Sequence, residues 1–388
     1  MASFSFKLAT SIRFGVGVID ELPDAVKKLK GTKPLLVADP SLRKAGLLNK
    51  LEEPLKKTGI LYVLFEEVDP EPGLKLADRA TEIARKNGCD CVIGAGGGSA
   101  MDIAKATAVL LTNKGKAVDY VGLNKVEKPG VPKIMVPTTA GTGSEVTFTA
   151  VFINEKTKSK GGINADFLYP ELAILDPALT TSVPPLVTAY TGIDAFTHAL
   201  EAFVSRAAQP FSDLWALEGI RLISGSLRRA YCQGDDLEAR SDMLFGSLYG
   251  GLALATAGVG LVHAMAYPLG GLYRIPHGLA NAVLLPYVMV YNLVGDLPKF
   301  ATITEAMGED VSHGSLREAA EIACEAARLL CADVGIPESL KDLNIPKKDI
   351  PKMAKIAMTV ARPIANNPRT VTVDEVIALY EMAYEGLD

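Results

Sequence analysis

Short apolar runs alternate with amphipathic stretches through the first 180 residues. Runs rich in Val, Ile and Leu stand at 34–38, 61–65 and 91–95, and stretches with apolar residues at helical spacing follow at 41–57, 74–87 and 101–111. Strands that are apolar almost throughout and are separated by helices are typical of a parallel sheet covered on both faces. The pattern predicts an N-terminal α/β domain over residues 1–180, a doubly wound parallel sheet of the nucleotide-binding kind.

The pattern changes after residue 180. Apolar residues recur at helical spacing almost to the end of the chain, with Gly, Pro and Asn at the breaks, which predicts an all-helical domain over residues 181–388. Residues 243–273 contain no Asp, Glu, Lys or Arg and are long enough to cross a membrane. Seven glycines in this stretch and the lack of a flanking Lys/Arg cluster favour instead a helix buried on all sides within the helical domain.

Composition and charge narrow the classes of function. The chain has 388 residues, of which 48% are apolar and 22% charged, and a formal net charge of −5, so nucleic-acid binding has no electrostatic support. The five cysteines are odd in number and form no CxxC pair, which favours structural thiols over disulfides or a zinc knuckle. No secretory signal pattern is visible at the N-terminus. We therefore expect a cytoplasmic α/β enzyme with no nucleic-acid or membrane partner.

A glycine-rich turn links the third predicted strand to its helix. Residues 94–99 read Gly-Ala-Gly-Gly-Gly-Ser. Glycines let the backbone approach an anion, and a helix N-terminus presents N–H groups and the positive end of its dipole. The turn matches neither GxGxxG nor a Walker loop, and a tight turn without a ligand also fits. Ser99 as a helix cap and Asp102 as a first-turn acid have plain structural explanations as well.

Two more features follow strand ends. Asp39 ends the first clear strand, where a carboxylate commonly accepts hydrogen bonds from an adenosine ribose and repels a 2′-phosphate; an Asp-Pro turn opener is equally well supported. Residues 137–145 read Pro-Thr-Thr-Ala-Gly-Thr-Gly-Ser-Glu, directly after the strand predicted at 133–136. This density of small hydroxyl side chains and glycines favours a loop that donates hydrogen bonds to phosphate, ribose or carboxamide groups.

Three of the four histidines join one carboxylate in a candidate metal site. Asp194 and His198 are four residues apart and therefore share a helix face. His263 lies in the uncharged stretch, where an imidazole needs a partner, although for this residue alone a backbone hydrogen bond would suffice. With His277 the set offers three nitrogens and one carboxylate oxygen, which suit Fe²⁺ or Zn²⁺ better than Mg²⁺ or Ca²⁺. His313 is expected at the surface.

Four motifs of the chain resemble those of the iron-containing (group III) alcohol dehydrogenases. They lie at residues 96–102, 137–145, 192–198 and 263–278, and they run in the same order with suitable spacing over the whole chain. The resemblance implies a dehydroquinate synthase-like two-domain architecture, an α/β nucleotide-binding domain followed by an all-α domain, with cofactor and metal in the cleft between them. It also implies a homodimer or a higher homo-oligomer.

The resemblance carries site residues over by motif. Asp194, His198, His263 and His277 would be the metal ligands, for Fe²⁺ or for Zn²⁺, which accepts the same groups. NAD would meet Gly97, Gly98, Ser99 and Asp102 through its pyrophosphate and nearby groups, Thr138, Thr139 and Thr142 through its nicotinamide half, and Lys160 and Asp39 through its ribose hydroxyls. The implied reaction passes hydride between the nicotinamide and a short-chain primary alcohol or aldehyde, with the metal as Lewis acid.

Three further residues modify what the resemblance implies. Tyr267 stands where many relatives carry a histidine that is proposed to relay protons, so any relay here would involve a phenol. Glu71 replaces a common asparagine beside the cofactor and, with Asp39, would strengthen the preference for NAD over NADP. Glu201, one helical turn after His198, is expected to be a solvated glutamate, with support of that imidazole as the alternative.

Two other functions are compatible with part of the NAD- and metal-binding motifs. An NAD- and metal-dependent sugar-phosphate cyclase of the dehydroquinate synthase type would need clustered Lys and Arg for its phosphate. Arg274 is the one such residue in segments 194–201 and 263–277, which ranks the cyclase low. A non-catalytic NAD- or metal-binding interaction protein is the alternative outside enzymology, and turnover of a small aldehyde with NADH would exclude it.

Overall fold

The computed structural model describes residues 4–154, 159–312 and 314–386; His313, expected at the surface, lies outside them. The chain forms two compact units. The first comprises Leu8–Thr139 and Gly143–Ser182, and the second comprises Met1–Lys7, Ala140–Thr142 and Val183–Asp388. Each unit is therefore discontinuous in sequence: three residues of the loop at 137–145 (the Thr-rich loop) belong to the second unit, as do the first seven residues of the chain.

The first unit is built on a six-stranded parallel sheet in the order β1-β9-β6-β4-β2-β3, beside a three-stranded sheet in the order β5-β8-β7. Its strands and helices, in chain order, are β1 (Ser11–Phe14), α1 (Leu22–Lys28), β2 (Pro34–Ala38), α2 (Pro40–Lys44), α3 (Leu48–Lys57), β3 (Val63–Phe65), α4 (Leu74–Asn87), β4 (Cys91–Gly96), α5 (Gly98–Thr112), β5 (Gly122–Leu123), β6 (Lys133–Pro137), β7 (Thr149–Asn154), β8 (Ser159–Asn164) and β9 (Leu172–Leu175). The predicted doubly wound parallel sheet is confirmed.

Both faces of the six-stranded sheet are covered, which explains why its central strands are apolar throughout. Every residue of β2, β4 and β6 is buried. Along β2, Leu35 and Val37 pack in a cluster with α4 and α5, whereas Leu36 and Ala38 pack in a second cluster with α1 and α3. The single helix predicted at 41–57 is wrong: it is divided into α2 and α3 around Gly46, which takes a φ of +73°.

The direction of winding reverses beside β2. The next strand in sequence, β3, lies on one side of β2, and β4 lies on the other. The carboxyl ends of β2 and β4 therefore flank a topological switch point, the place where open α/β sheets bind ligands. Asp39 follows β2 at this edge, and its backbone N–H donates to the carbonyl oxygen of Ala95 on β4 at 3.1 Å.

The second unit is helical. Its helices are α6 (Pro185–Val204), α7 (Pro210–Cys232), α8 (Leu237–Ala257), α9 (Leu261–Tyr273), α10 (His277–Asn292), α11 (Leu297–Ala306), α12 (Leu316–Asp333), α13 (Ile350–Ala357), α14 (Ala361–Asn366) and α15 (Val373–Glu385). Small residues let α6 and α8 approach each other closely: a Cβ on Gly250 of α8 would lie 2.9 Å from the carbonyl oxygen of Ala195 on α6.

The prediction that the uncharged stretch at 243–273 is one buried helix is wrong. The stretch forms parts of α8 and α9, and these two helices are bent by 104° at the break between them. Gly258 ends α8 with a φ of +73°, which favours glycine. Within the described residues, one helical span, His277–Gly295, is long and apolar enough to cross a membrane by length and composition. Its most apolar window is 72% buried inside the protein, as in a core helix.

Candidate functional site

Helix α6 supplies two of the predicted metal ligands. Asp194 and His198 are separated by one turn and face the interior, with 2% and 6% of their surfaces exposed. The nitrogen Nδ1 of His198 lies 3.2 Å from the carbonyl oxygen of Gly141 in the Thr-rich loop. A proton on Nδ1 satisfies that carbonyl, so the lone pair of His198 is on Nε2.

Helices α9 and α10 supply the other two ligands. His263 lies in the first turn of α9 and His277 is the first residue of α10. The next residue, Gly278, explains how α10 reaches α6, because a Cβ there would lie 2.4 Å from the carbonyl oxygen of Tyr190. Only glycine allows this approach without a shift of the backbone.

The four side chains converge as predicted. Asp194, His198, His263 and His277 each offer one ligand atom, and these atoms lie within 4.8 Å of one another. The Nε2 atom of each imidazole is 3.9 Å from Oδ1 of Asp194. Among the described residues this is the one His/Cys/Asp/Glu group that could hold a metal ion. Three neutral nitrogens and a carboxylate fit Fe²⁺ or Zn²⁺.

The ionisation of this site favours ligation. Burial alone would raise the pKa of the Asp194 carboxyl, but His198, His277, His263 and the Asn281 amide together hold that pKa below its ordinary value. Burial lowers the pKa of His198, and the neighbouring Asp194 only partly opposes it. These lowered pKa values thus favour a charged Asp194 carboxylate and a neutral His198 imidazole, and each of these two groups then has a lone pair for a cation.

The expectation that Glu201 is solvated is wrong. Its side chain is buried, and it accepts hydrogen bonds from His263 Nδ1 at 2.6 Å, from the Gly260 N–H at 2.8 Å and from the Val262 N–H at 2.6 Å. The alternative named for Glu201 was support of His198, and the imidazole that it holds is instead that of His263. The helical spacing of Glu201 from Asp194 and His198 places it on the same buried face of α6. Its hydrogen-bond partner His263, however, is 62 residues away in sequence.

Asn281 is a further polar residue at this cluster, and no motif of the sequence indicated it. This residue is completely buried on α10, one turn after His277, and its amide nitrogen lies 2.6 Å from Asp194 Oδ1. The same nitrogen is 3.2 Å from His263 Nε2 and 3.3 Å from His277 Nε2. The i, i+4 spacing from His277 was the available signal.

Tyr267 lies one turn after His263 on α9, and its ring stacks on that of His277, with centroids 6.0 Å apart. Burial, with help from Glu201 and Asp194, raises the pKa of the Tyr267 phenol to about 12, and the Arg362 guanidinium partly opposes the rise. The phenol therefore keeps its proton at physiological pH. It can pass a proton along a hydrogen-bonded chain but does not act as an ionised base.

The glycine-rich turn and the strand ends meet at the switch point of the sheet. Gly96 takes a φ of +141°, and a Cβ on it would lie 2.9 Å from the Cβ of Asp39. Gly97, not Ser99, is the N-cap of α5, and no side chain caps that helix. Asp39 caps α2 through the Ser41 N–H at 2.8 Å. An uncapped helix N-terminus beside a close-approach glycine suits an anionic group.

The Thr-rich loop begins at the same edge. The Thr138 N–H donates to the carbonyl oxygen of Gly96 at 3.0 Å, and the Thr139 hydroxyl lies 3.6 Å from where a Cβ of Gly97 would be. Gly98 opens α5 directly after Gly97. Thr142 lies in the part of the loop that packs with the helical unit.

Two predicted cofactor residues are bound to other parts of the protein. Asp102 accepts hydrogen bonds from the Ser144 hydroxyl at 2.6 Å and the Val151 N–H at 2.9 Å, and its carboxylate is 3.2 Å from the buried amine of Lys105. Lys160 pairs with Glu71 at 2.6 Å. The bonds of Asp102 join α5 to the Thr-rich loop and β7. The ion pair holds the Lys160 amine beside the Glu71 carboxylate.

Comparison with known proteins covers both units. Residues 9–177 match the protein family described as "Iron-containing alcohol dehydrogenase". Residues 188–384 match the family described as "Fe-containing alcohol dehydrogenase family, C-terminal". Long-chain-alcohol dehydrogenase 1 of Geobacillus thermodenitrificans (strain NG80-2) is 45% identical over 96% of this chain and 94% of its own. The 1,3-propanediol dehydrogenase of Citrobacter freundii is 42% identical over 96% of each chain.

Solved structures agree with this result. A crystal structure of 1,3-propanediol oxidoreductase superimposes with a TM-score of 0.96, at 39% identity, over 99% of this chain and 100% of the other. Members of the family use NAD(H) and iron, and the Asp194–His198–His263–His277 cluster supplies suitable ligands. The chain therefore belongs to the iron-containing alcohol dehydrogenase family, as an NAD-dependent alcohol dehydrogenase or aldehyde reductase.

Proposed function

We propose that the protein transfers hydride between NAD(H) and a short-chain primary alcohol or its aldehyde. The observation that carries the proposal is the convergence of Asp194 with the Nε2 atoms of three imidazoles on three different helices. A divalent cation bound there supplies Lewis acidity toward the oxygen of an alcohol or aldehyde. Fe²⁺ is the expected ion, with Zn²⁺ as the alternative.

The residues around the ligands prepare the site for this chemistry. Gly141 holds His198 and Glu201 holds His263 with Nδ1 protonated, so both imidazoles present Nε2 without rearrangement. Tyr267 stacks on His277, the most exposed of the four ligands, with 28% of its side chain accessible. We propose that the Tyr267 hydroxyl relays a proton, because its raised pKa keeps the phenol protonated.

The cofactor half of the proposal rests on the carboxyl edge of the parallel sheet. Gly97, Gly98 and Ser99 at the start of α5 would receive the pyrophosphate, since no side chain caps this helix. Thr138, Thr139 and Thr142 would hold the nicotinamide half. Asp102 would act through the Ser144 hydroxyl that it holds in that loop, in place of direct contact.

Preference for NAD over NADP follows from the acids near this edge. Asp39 follows β2 at the switch point, where a carboxylate repels a 2′-phosphate. Glu71 adds a second carboxylate, paired with Lys160, the residue proposed to meet cofactor hydroxyls. We expect the double variant Asp39→Gly, Glu71→Asn to narrow the ratio of kcat/KM for NADH over NADPH by roughly tenfold or more, which is a change of about 1.4 kcal/mol.

The decisive experiment is a screen of NADH oxidation with aldehydes. Protein reconstituted separately with Fe²⁺ and Zn²⁺ is assayed against short and long aldehydes, neutral and acidic. Turnover that falls with chain length supports the short-chain assignment, and turnover that rises with chain length contradicts it. The acidic aldehydes show whether an anionic group on the substrate is preferred.

A ligand variant provides the control for the metal. His263→Ala should abolish both tight metal binding and NADH-linked turnover. Full turnover by this variant in a metal-free buffer would contradict a metal-dependent reaction. The cyclase alternative is not favoured, because the relatives are alcohol dehydrogenases and aldehyde reductases; turnover of a simple aldehyde also excludes a non-catalytic role.

We further propose a homo-oligomer in the cytoplasm. An aromatic patch supports self-association: Phe6 stacks on Phe211 with centroids 4.7 Å apart, while Phe4, Phe211 and Leu214 are 46%, 43% and 67% exposed. Free thiols at all five cysteines agree with a reducing compartment. Light scattering on purified protein distinguishes a monomer from a dimer or a higher oligomer.

A further inference from the structure

Asn281 is a buried polar residue that contacts the four-ligand set without belonging to it. It lies on α10 with no exposed surface. Its Nδ2 atom contacts Asp194 Oδ1 at 2.6 Å, His263 Nε2 at 3.2 Å and His277 Nε2 at 3.3 Å. One amide nitrogen therefore contacts three of the four side chains of the candidate metal centre.

The charge of Asp194 sets the orientation of this amide. If the oxygen of Asn281 faced the carboxylate at 2.6 Å, two acceptor atoms would meet with no proton between them. With the nitrogen facing Asp194, the amide oxygen is buried without a hydrogen-bond partner among the described residues. An unpaired buried acceptor is unfavourable, so its presence indicates that the donor is what this position requires.

Only one of the three contacts is compatible with ligation. A neutral imidazole nitrogen has a single lone pair, so a nitrogen that binds a cation cannot accept a hydrogen bond from Asn281 at the same time. A carboxylate oxygen has a further lone pair and can do both. The contact that persists when all four ligands are engaged is therefore the 2.6 Å hydrogen bond to Asp194.

We propose that Asn281 is a positioning residue of the metal centre, whose amide N–H holds Asp194 Oδ1 in the orientation that binds the cation. The inference rests on the proposed function in taking Asp194 as a metal ligand. Asn281 is suited to this task because it is fixed on α10 one turn from His277. The same helix therefore supplies one ligand and orients another that lies 87 residues away in sequence.

The test measures metal affinity and not turnover. Metal-free protein is titrated with Zn²⁺ in competition with a chromophoric chelator, and the visible absorption of the Co²⁺-loaded protein is recorded. Asn281→Leu keeps the approximate volume of the side chain and removes the donor. We expect the affinity for Zn²⁺ to fall about 10- to 100-fold, the usual effect of losing a hydrogen bond to a ligand. The Co²⁺ absorption should change as the carboxylate reorients.

Asn292 offers a matched control on the same helix. It is 3% exposed and exchanges hydrogen bonds with Asn367 at 2.8 and 2.7 Å, and neither bond involves one of the four ligands. We expect Asn292→Leu to lower the melting temperature but to leave the Zn²⁺ affinity within about twofold of the wild type, an effect on the fold alone. Zn²⁺ affinity unchanged in Asn281→Leu would overturn the proposal.

A second variant separates donation from ligation and remains useful if Asn281→Leu does not fold. Asn281→Asp keeps the shape but replaces the N–H group by an acceptor oxygen. Loss of affinity in this variant supports the donor role. Affinity equal to or tighter than that of the wild type would show an oxygen of residue 281 acting as a ligand, and would overturn it.

The outcome is independent of the proposed reaction. A wild-type protein that binds Zn²⁺ or Fe²⁺ at Asp194 but oxidises no NADH with any aldehyde would contradict the proposed function. That result would leave the affinities of the Asn281 variants to decide the role of this residue.

Discussion

At the scale of residues, the candidate metal site depends on side chains beyond the four proposed ligands. Glu201 accepts three hydrogen bonds, from His263 and from two backbone N–H groups at the start of α9. It therefore fixes the tautomer of one ligand and the geometry of the turn that presents it. Tyr267, one turn further along α9, combines a ring contact with His277 and a phenol of raised pKa.

We predict that Glu201→Gln weakens Zn²⁺ binding by about 10- to 100-fold. An amide has one acceptor oxygen where the carboxylate has two, so at least one of the three N–H groups loses its partner. Unfolding should also become easier by about 1–3 kcal/mol. Competition titration and calorimetry measure the two effects. Glu218→Gln, at an exposed ion pair with Arg221 on α7, should change neither, and an unchanged metal affinity in Glu201→Gln would contradict the prediction.

For Tyr267 the prediction concerns the pH dependence of turnover. The phenol, with its pKa raised to about 12, stays protonated below about pH 10 and adds no ionisation to the profile there. Tyr267→His introduces a group with an ordinary pKa of about 6.5, so kcat/KM for alcohol oxidation should gain a dependence on pH between about 6 and 8. Tyr267→Phe should lower kcat roughly 10²-fold with the metal retained. A kcat equal to that of the wild type would remove Tyr267 from the proton path.

At the scale of elements, the site exists because α10 starts in contact with α6. His277 is the first residue of α10, and the glycine that follows it lets the helix start beside the Tyr190 carbonyl. Within the same unit, the Gly141 carbonyl reaches His198 because the loop around it lies against α6: a Cβ on Gly141 would be 2.7 Å from the Cβ of Thr191. Two glycines therefore set the distances between elements that carry ligands.

We predict that Gly278→Ala displaces the start of α10. The added Cβ would lie 2.4 Å from a backbone oxygen, and relieving that clash should cost about 1–3 kcal/mol of stability and weaken Zn²⁺ binding through His277. Gly225→Ala on α7 is the control, because nothing lies within 4 Å of its Cβ; it should stabilise by about 0.5–1 kcal/mol. Equal metal affinity in the two variants would contradict this account.

At the scale of the whole molecule, a buried network joins α5, the Thr-rich loop and β7. Lys105 has no exposed surface and donates to the carbonyl oxygens of Ser144 and Thr149, the first residue of β7, and to the hydroxyl of Thr147. Glu145 lies beside it, and burial raises the pKa of this carboxyl to about 7, opposed by its own backbone N–H and by Lys105. One oxygen of Glu145 has no hydrogen-bond partner among the described residues.

The raised pKa of Glu145 predicts how stability varies with pH. The folded protein retains this proton up to about pH 7, whereas the unfolded chain releases it near the ordinary value of 4.5. The folded state therefore binds more protons between these values, and stability decreases as pH rises through this window. At about 1.4 kcal/mol per pKa unit, the loss by pH 8 is roughly 3 kcal/mol.

Glu145→Gln should remove this dependence. We expect the variant to match the wild type near pH 4 and to exceed its free energy of unfolding by roughly 3 kcal/mol at pH 8, because a neutral amide has no ionisation to suppress. Denaturant unfolding at the two pH values measures the difference. A difference that shrinks as pH rises would show that Glu145 ionises at an ordinary pKa in the folded protein.

The sequence by itself determined the fold class and indicated part of the candidate site. Apolar periodicity predicted the parallel sheet and the helical unit, because side-chain spacing along a strand or helix decides which residues can be buried together. The same periodicity placed Asp194 and His198 on one face. The motifs then identified His263 and His277 as their partners through resemblance to a family.

Only the tertiary structure decided which partners those side chains meet. Local spacing could not show that Glu201 holds His263, 62 residues away, or that Asn281 holds Asp194, 87 residues away. Nor could it show that α8 and α9 bend at Gly258, or that Asp102 bonds to Ser144 and Val151. Such contacts depend on how closely helices and loops approach, and glycines such as Gly278 set that distance through the packing of remote segments.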